Sequence, residues 1–320
     1  MRHAFIAVGL LALAGCSEKS ESPPPLSNDG TGQQGSVSLT DARRGFQTKL
    51  LRSETTKGPP PAPPAALLRT VQYDTPAGKM SAYLSVPPAD GKKHPAIVWI
   101  TGGDSNTIDE GCWTEGAADD DQSASAFRKA GILTMYPALR GGSGNPGVKE
   151  AFFGEVDDVL AAADFLAKQE SVDPARVYLG GHSTGGTLAL LTAESSGRFR
   201  ATFAFGPVDD VESYGVDSLP FDTANPREAQ LRAPGRWLGS VTSAVFVLEG
   251  TTGKSNIGAL RAMKAASTNA RIAFVPVEGA DHFSALQPTT TLVARKILAD
   301  QGETTSITLD PSEVRAAFAK

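Results

Sequence analysis

The sequence predicts an α/β fold with a mostly parallel, eight-stranded sheet and helices on both of its faces. Three observations support this fold class. Eight short runs rich in β-branched and aromatic residues follow residue 66. From the third run onward they are almost continuously hydrophobic, which indicates strands buried on both faces. Helical stretches separate the later runs, and alternation of strand and helix gives parallel sheets.

The first two predicted strands follow each other directly and favour a hairpin. The eight strands are predicted at residues 70–74, 80–86, 96–101, 132–136, 177–180, 201–205, 244–249 and 272–277. Helices are predicted at residues 150–169, 184–194, 256–266 and 287–298. A last short helix is predicted after Asp310, because Pro311 suits a first helical turn and Glu313 completes a capping box. Sheets of this kind place their sites at the carboxyl ends of the strands.

The N-terminus has the pattern of an export signal. Arg2 gives a basic start, and residues 4–14 form an apolar run that is too short to span a bilayer. The sequence Leu13-Ala14-Gly15-Cys16 resembles the lipobox of bacterial lipoproteins, so we expect a signal peptide over residues 1–15 and lipidation of Cys16. Ser17 resembles the class sent to the outer membrane. The alternative is a plain signal peptide with an incidental cysteine.

The domain organisation follows from changes in composition. Residues 16–65 are rich in Pro, Ser and Gly and are expected to form a tether, with one short helix between Leu39 and Leu51. Residues 66–300 form the predicted catalytic domain. Residues 301–320 are a tail with the short C-terminal helix.

Composition excludes several functional classes. The net charge of −5 argues against a nucleic-acid partner, which requires a basic surface. The two cysteines, Cys16 and Cys112, and four histidines build neither a disulfide framework nor a typical metal cluster. We therefore expect no cofactor and no metal, and we interpret the acidic run Asp119-Asp120-Asp121 as a solvated loop.

The strongest chemical motif is Gly181-His182-Ser183-Thr184-Gly185. Its G-x-S-x-G pattern comes between the predicted strand 177–180 and the predicted helix 184–194, which is the context of a nucleophile elbow. Ser183 is therefore the candidate nucleophile. The alternative is a glycine-rich turn that merely buries a serine.

Ser183 needs a base, and His282 lies where one is expected. It follows the last predicted strand, in Gly279-Ala280-Asp281-His282-Phe283. An oxyanion hole requires two N–H groups aimed at the developing charge. Thr184 offers one because it follows the nucleophile, and Gly103, after the strand 96–101, offers the other.

Together these segments resemble the α/β-hydrolase superfamily, most closely the catalytic domain of the prolyl oligopeptidase and dienelactone hydrolase-like group. The resemblance covers residues 67–298. It is carried by Ile100-Thr101-Gly102-Gly103, Leu139-Arg140-Gly141-Gly142, Gly154-Glu155-Val156-Asp157-Asp158, the elbow and the histidine loop. Two residues depart from the pattern: Thr101 replaces a histidine, and Thr184 replaces an aromatic residue.

The third departure concerns the acid of the triad. The resemblance implies an aspartate in G-x-x-D after the penultimate strand, but that position is Gly253. We expect the acid to come from Asp209 or Asp210 after the preceding strand, without choosing between them. Glu249 is the next candidate, and Asp209 and Asp210 could instead only cap or turn the chain.

The sequence thus favours a serine hydrolase that cleaves an ester or peptide bond through an acyl-enzyme. Its expected partners are a small ester or peptide substrate and a membrane, reached through the lipid anchor. The alternative is a non-catalytic binding or scaffold lipoprotein on a hydrolase fold, which the missing aspartate suggests. A third hypothesis, a substrate-binding lipoprotein of a transporter, has weaker support, because such a protein does not need a nucleophile elbow.

Overall fold

The computed structural model describes residues 37–318. The predicted signal peptide and Cys16 lie outside the described residues. No helix in the described part of the chain is long and apolar enough to cross a membrane.

All eight predicted strands are present, with ends shifted by a few residues. They are β1 (Leu68–Thr75), β2 (Gly78–Ser85), β3 (His94–Ile100), β4 (Leu133–Pro137), β5 (Val172–His182), β6 (Ala201–Phe205), β7 (Ala244–Gly250) and β8 (Ile272–Val277). They form one sheet in the order β1-β2-β4-β3-β5-β6-β7-β8. The pairs β1–β2 and β2–β4 are antiparallel and the others are parallel, which confirms the predicted fold class.

Helices cover both faces of the sheet. They are α1 (Leu39–Arg43), α2 (Ser125–Lys129), α3 (Glu155–Ala167), α4 (Thr184–Ser195), α5 (Pro226–Gln230), α6 (Ile257–Ala266), α7 (Leu286–Ala299) and α8 (Pro311–Phe318). Side chains of α2, α7 and α8 pack on one face, in a cluster that includes Trp99 and Phe203. Side chains of α3, α4 and α6 pack on the other. The sheet is therefore the middle of three layers, and burial on both faces explains its hydrophobic strands.

The helix predicted at 150–169 begins only at Glu155. Ala151 and Phe152 have φ values of 52° and 71°, which an α-helix cannot contain. The residues before the helix instead form a tight loop.

The tether predicted over residues 16–65 is wrong for its second half. Residues 37–64, which we call the strap, pack on the domain. Within it α1 spans only Leu39–Arg43, and Leu50 forms a β-bridge with Phe221. Further along, the N–H of Thr56 donates to the carbonyl of Gly141 at 2.7 Å. The prediction rested on the Pro-, Ser- and Gly-rich composition of this segment. Residues of such a segment can still bind to a folded domain through their backbone N–H and C=O groups.

The interpretation of Asp119-Asp120-Asp121 as a solvated loop holds for only two of the three residues. Asp119 and Asp120 are exposed, but Asp121 is fully buried. Its carboxylate accepts hydrogen bonds from the hydroxyls of Ser123 and Ser125 at 2.6 and 2.7 Å. This carboxylate therefore organises the start of α2.

Candidate active site

Ser183 lies at the sharp turn between β5 and α4, with φ 56° and ψ −117°. The glycines around it are required by close backbone approaches. A Cβ on Gly181 would lie 2.3 Å from the carbonyl oxygen of Gly185, and one on Gly185 would lie 2.2 Å from that of Ile100. The N–H of Ser183 donates to the carbonyl of Phe205 at 2.8 Å, which ties the turn to β6. This is the strained geometry of a nucleophile elbow.

His282 is paired with a glutamate from the neighbouring strand. Its Nδ1 lies 2.9 Å from Oε2 of Glu249, near the end of β7. Glu249 is almost fully buried, and its two carboxylate oxygens also accept the N–H groups of Gly250 and Asn256 at 2.7 and 3.1 Å. A carboxylate only accepts, so the imidazole proton is on Nδ1 and Nε2 is free to act as a base.

The expectation that Asp209 or Asp210 partners the histidine is wrong in this structure. The carboxylate of Asp210 caps the 3₁₀ turn Val211–Tyr214 and accepts the N–H of Glu212 at 3.1 Å. Asp209 packs against Gly235, whose N–H donates to its carbonyl at 2.9 Å.

The physical reason lies at Gly206, the residue directly after β6. A Cβ there would lie 2.4 Å from Cε1 of His282 and 2.9 Å from Oε2 of Glu249. The backbone of Gly206 therefore occupies the space beside the imidazole of His282. Asp209 comes three residues later and packs elsewhere, against Gly235. Gly253, which stands where the resemblance implies an aspartate, adopts a φ of +58°.

His182 joins the histidine loop to the elbow. Its Nε2 donates to the carbonyl of His282 at 3.0 Å, and the two rings lie 4.5 Å apart. Burial, helped by the nearby His282, lowers the pKa of His182 to about 3. This imidazole is therefore neutral, and it positions the loop without carrying charge.

The two predicted oxyanion-hole residues come together over the serine. Thr184 is the first residue of α4, so its N–H is one of the free donors of the helix N-terminus. Its hydroxyl donates to the carbonyl of Gly103 at 2.6 Å. Gly103 adopts φ +116°, and a Cβ on Gly102 would lie 3.1 Å from Cβ of Ser183.

Comparison with known proteins agrees with this geometry. The family model described as "Prolyl oligopeptidase family" matches residues 119–232, which include the elbow. No curated protein sequence matches the chain. This stretch of the chain is therefore similar to that family.

Solved structures of peptidases resemble this chain in fold at low sequence identity. A puromycin-hydrolysing peptidase of Mycobacterium tuberculosis is 21% identical with a TM-score of 0.60, over 77% of this chain and 41% of that one. An acylaminoacyl peptidase of Pyrococcus horikoshii is 12% identical with a TM-score of 0.58, over 77% and 43%. Dipeptidyl peptidase 4 of Porphyromonas gingivalis is 17% identical with a TM-score of 0.55, over 72% and 35%. The chain thus spans about two-fifths of the length of these neighbours, and the likeness establishes the fold.

A pocket of about 250 Å³ opens beside Gly103 and Thr184. Apolar and aromatic side chains form most of its wall, and Asn106, Lys149 and Glu155 contribute polar groups. Phe152 and Tyr214 stack in that wall, with ring centroids 5.7 Å apart and planes 15° from parallel. The apolar members are Ile100, Leu139, Ala151, Phe152, Leu188, Tyr214 and Leu219.

Two arginines hold the strained wall of this pocket, and sequence reasoning missed both. The carbonyl of Ala151 accepts Nε of Arg232 at 2.8 Å, and the carbonyl of Phe152 accepts Nη2 of Arg43 at 3.0 Å. Arg232 is fully buried and pairs with the buried Glu228 at 2.6 Å. These donors stabilise two successive positive-φ residues that would otherwise be unfavourable. Neither arginine lies in a motif, so no pattern in the sequence indicated them.

The strap also contacts the segment that carries Tyr214. Arg52 donates to the carbonyl of Asp217 at 2.9 Å and also to that of Ser218. Lys49 pairs with Asp222 at 3.0 Å. Ser218 itself lines the pocket, so the strap fixes part of the pocket wall.

Proposed function

We propose that this protein is a serine hydrolase in which Ser183 is the nucleophile, His282 the general base and Glu249 the acid. The observation that carries the proposal is the contact between the buried carboxylate of Glu249 and Nδ1 of His282 at 2.9 Å, next to a strained elbow. A scaffold has no need of a buried carboxylate that fixes the tautomer of a histidine. The pair therefore favours catalysis over the non-catalytic alternative.

The mechanism follows from these positions. Nε2 of His282 takes the proton of the Ser183 hydroxyl as the oxygen attacks a carbonyl carbon. Glu249 stabilises the imidazolium that forms. The N–H groups of Thr184 and Gly103 stabilise the oxyanion, and the leaving group receives its proton from His282. Water then hydrolyses the acyl-enzyme by the same route.

We propose that the scissile bond is a peptide or related aminoacyl bond, with an ester as the alternative. The three solved structures compared with this chain are peptidases by name, and the matched family model is that of a peptidase family. The pocket of about 250 Å³ suits one apolar or aromatic group, such as a side chain next to the scissile carbonyl.

A fluorophosphonate probe tests the nucleophile. The wild type should be labelled, Ser183→Ala should not, and His282→Ala should be labelled far more slowly. Turnover of alanine and phenylalanine p-nitroanilides, compared with p-nitrophenyl acetate and butyrate, then separates the peptidase reading from the esterase reading. A folded wild type that is neither labelled nor active on any of these substrates would favour the scaffold alternative.

We also propose that the protein is exported and anchored to the outer membrane of a bacterium through lipidated Cys16. The basic start, the short apolar run and the sequence Leu13-Ala14-Gly15-Cys16 support this. A diacylglyceryl group supplies two chains, which is enough for stable anchoring. Mass spectrometry of the N-terminal peptide should find the lipid on Cys16, and Cys16→Ser should move the protein from the membrane fraction to the soluble fraction.

A further inference from the structure

Residues 102–105, which we call the oxyanion loop, carry Gly103 past the nucleophile at the surface of the domain. Gly103, Asp104 and Ser105 are exposed, so apolar packing does not fix their positions. The loop begins with two glycines, whose backbone adopts many conformations at little cost. Polar contacts are therefore needed to hold the N–H of Gly103 in one direction.

Two side chains supply such contacts to successive carbonyl groups of the oxyanion loop. The hydroxyl of Thr184 donates to the carbonyl of Gly103 at 2.6 Å. The ammonium group of Lys149 donates to the carbonyl of Asp104 at 2.8 Å and to its carboxylate at 2.6 Å. The side chain of Asp104 is 80% exposed, so solvent screens that ion pair and the carbonyl contact matters more. Both carbonyl groups that follow the N–H of Gly103 are thus held.

Lys149 is itself held by the strap. Only 13% of its side chain is exposed, and its Nζ lies 3.4 Å from Oε2 of Glu54. The N–H of Lys149 also donates to the carbonyl of Glu54 at 3.1 Å. An ammonium group with little access to water needs a compensating charge nearby. The carboxylate of Glu54 therefore favours one position of the Lys149 side chain.

Glu54 is ionised and connects Lys149 to a second part of the strap. Partial burial opposes ionisation, but the contacts with Arg52 and Lys149 outweigh it and lower the pKa of Glu54 below its ordinary value. Arg52 pairs with Glu54 and also donates to the carbonyl of Asp217 at 2.9 Å. A continuous series of polar contacts therefore runs from the oxyanion loop, through the strap, to the segment after β6.

We propose that Lys149, supported by Glu54, is a positioning residue that holds the oxyanion loop in the geometry required by the transition state. The inference rests on the proposed function. Lys149 acts through the carbonyl of Asp104, because release of that carbonyl lets the glycines turn the N–H of Gly103 away from the oxyanion. That N–H bonds to the oxyanion only as negative charge develops, so its loss lowers kcat more than it raises KM.

The test uses the full chain as wild type, Lys149→Met and Lys149→Arg. It measures kcat and KM with p-nitrophenyl acetate and the inhibition constant of a phenylalanyl trifluoromethyl ketone. The serine oxygen adds to such a ketone, and the oxygen of the adduct occupies the oxyanion hole, so inhibition reports the geometry of the hole. Lys149→Met should lower kcat and weaken inhibition by about tenfold each, with KM within about threefold. Lys149→Arg keeps a donor for the carbonyl and should recover most of both.

Lys296→Met is the matched control. Lys296 pairs with Glu313 at 2.8 Å, between α7 and α8, and neither residue lines the pocket. This variant also loses an ammonium group from an ion pair, but it should keep the wild-type kcat and inhibition constant. The melting temperature of each variant separates a loss of stability from a loss of oxyanion-hole geometry.

Glu54→Gln keeps the test decisive if Lys149→Met does not fold. It removes the charge that holds Lys149 and should lower kcat and weaken inhibition by about fivefold each. The proposal is overturned if Lys149→Met equals Lys296→Met in kcat and inhibition, if its loss is entirely in KM, or if Lys149→Arg is no better. It is also overturned if Glu54→Gln equals Lys296→Met. A wild type no faster than Ser183→Ala would instead contradict the proposed function itself.

Discussion

Replacing Glu249 with glutamine changes the hydrogen bonding of the proposed triad while keeping its shape. One carboxylate oxygen accepts the N–H of Gly250 at 2.7 Å, and the other accepts His282 and Asn256 at 2.9 and 3.1 Å. An amide has one oxygen and one NH₂ group. In one orientation the NH₂ group faces the N–H of Gly250. In the other it faces Asn256 and forces the proton of His282 onto Nε2, where the base is needed.

Both orientations remove the charge that stabilises the imidazolium. The equivalent change in a Ser-His-Asp triad lowers kcat by about 10⁴-fold, which is about 5.5 kcal/mol of transition-state stabilisation. We expect a loss of about 10³- to 10⁴-fold for Glu249→Gln. Asp209→Asn and Asp210→Asn should stay within about threefold of the wild type, because neither carboxylate contacts the histidine.

The assay is kcat with p-nitrophenyl acetate, together with the rate of fluorophosphonate labelling and the melting temperature of each variant. The melting temperature separates loss of chemistry from loss of folding. If Glu249→Gln retained more than about a tenth of wild-type kcat while Asp209→Asn or Asp210→Asn lost 10²-fold, the assignment of the acid would be refuted.

Three further predictions follow from buried contacts. Gly206→Ala should lower kcat by about 10²-fold, because the added Cβ would lie 2.4 Å from the proposed catalytic imidazole. Gly239→Ala is the control, and it should keep the wild-type kcat because its added Cβ would meet open space. Equal kcat values for the two variants would contradict this prediction. Burial raises the pKa of Glu194 well above its ordinary 4.5, so the folded state holds a proton that the unfolded state releases, and stability falls as pH rises above about 4.5. Glu194→Gln should therefore raise the melting temperature more at pH 8 than at pH 5, and a shift independent of pH would count against this reasoning. Arg232→Met should lower the free energy of unfolding, measured in urea, by about 3–5 kcal/mol, because it leaves the buried Glu228 carboxylate without its cationic partner. The double variant with Glu228→Gln should recover part of that loss. No recovery would show that the two side chains are not coupled.

The fold and half of the candidate site could be predicted from local pattern. Strand-like runs and amphipathic stretches gave all eight strands and the main helices, because burial on one or both faces imposes a periodicity on the sequence. The elbow around Ser183 was also local. A Cβ on Gly181 or Gly185 would lie 2.3 or 2.2 Å from a backbone carbonyl oxygen, far inside van der Waals distance, so the glycines of the motif and the strained backbone occur together.

The acid could not be chosen this way. Asp209, Asp210 and Glu249 all lie at or after the carboxyl end of a strand. The sequence does not say which of these side chains reaches the imidazole of His282, which lies on a different loop. That choice depends on where β6 ends, on the bare backbone of Gly206, and on the longer side chain of Glu249 reaching from within β7.

The amino-acid sequence by itself thus determined the fold class, the nucleophile elbow and the histidine loop, because each depends on residues close together in the chain. Tertiary structure alone decided the Glu249–His282 pair, the packing of the strap and the position of Tyr214. These features depend on distances between elements far apart in the chain, and those distances are set by packing of the whole domain.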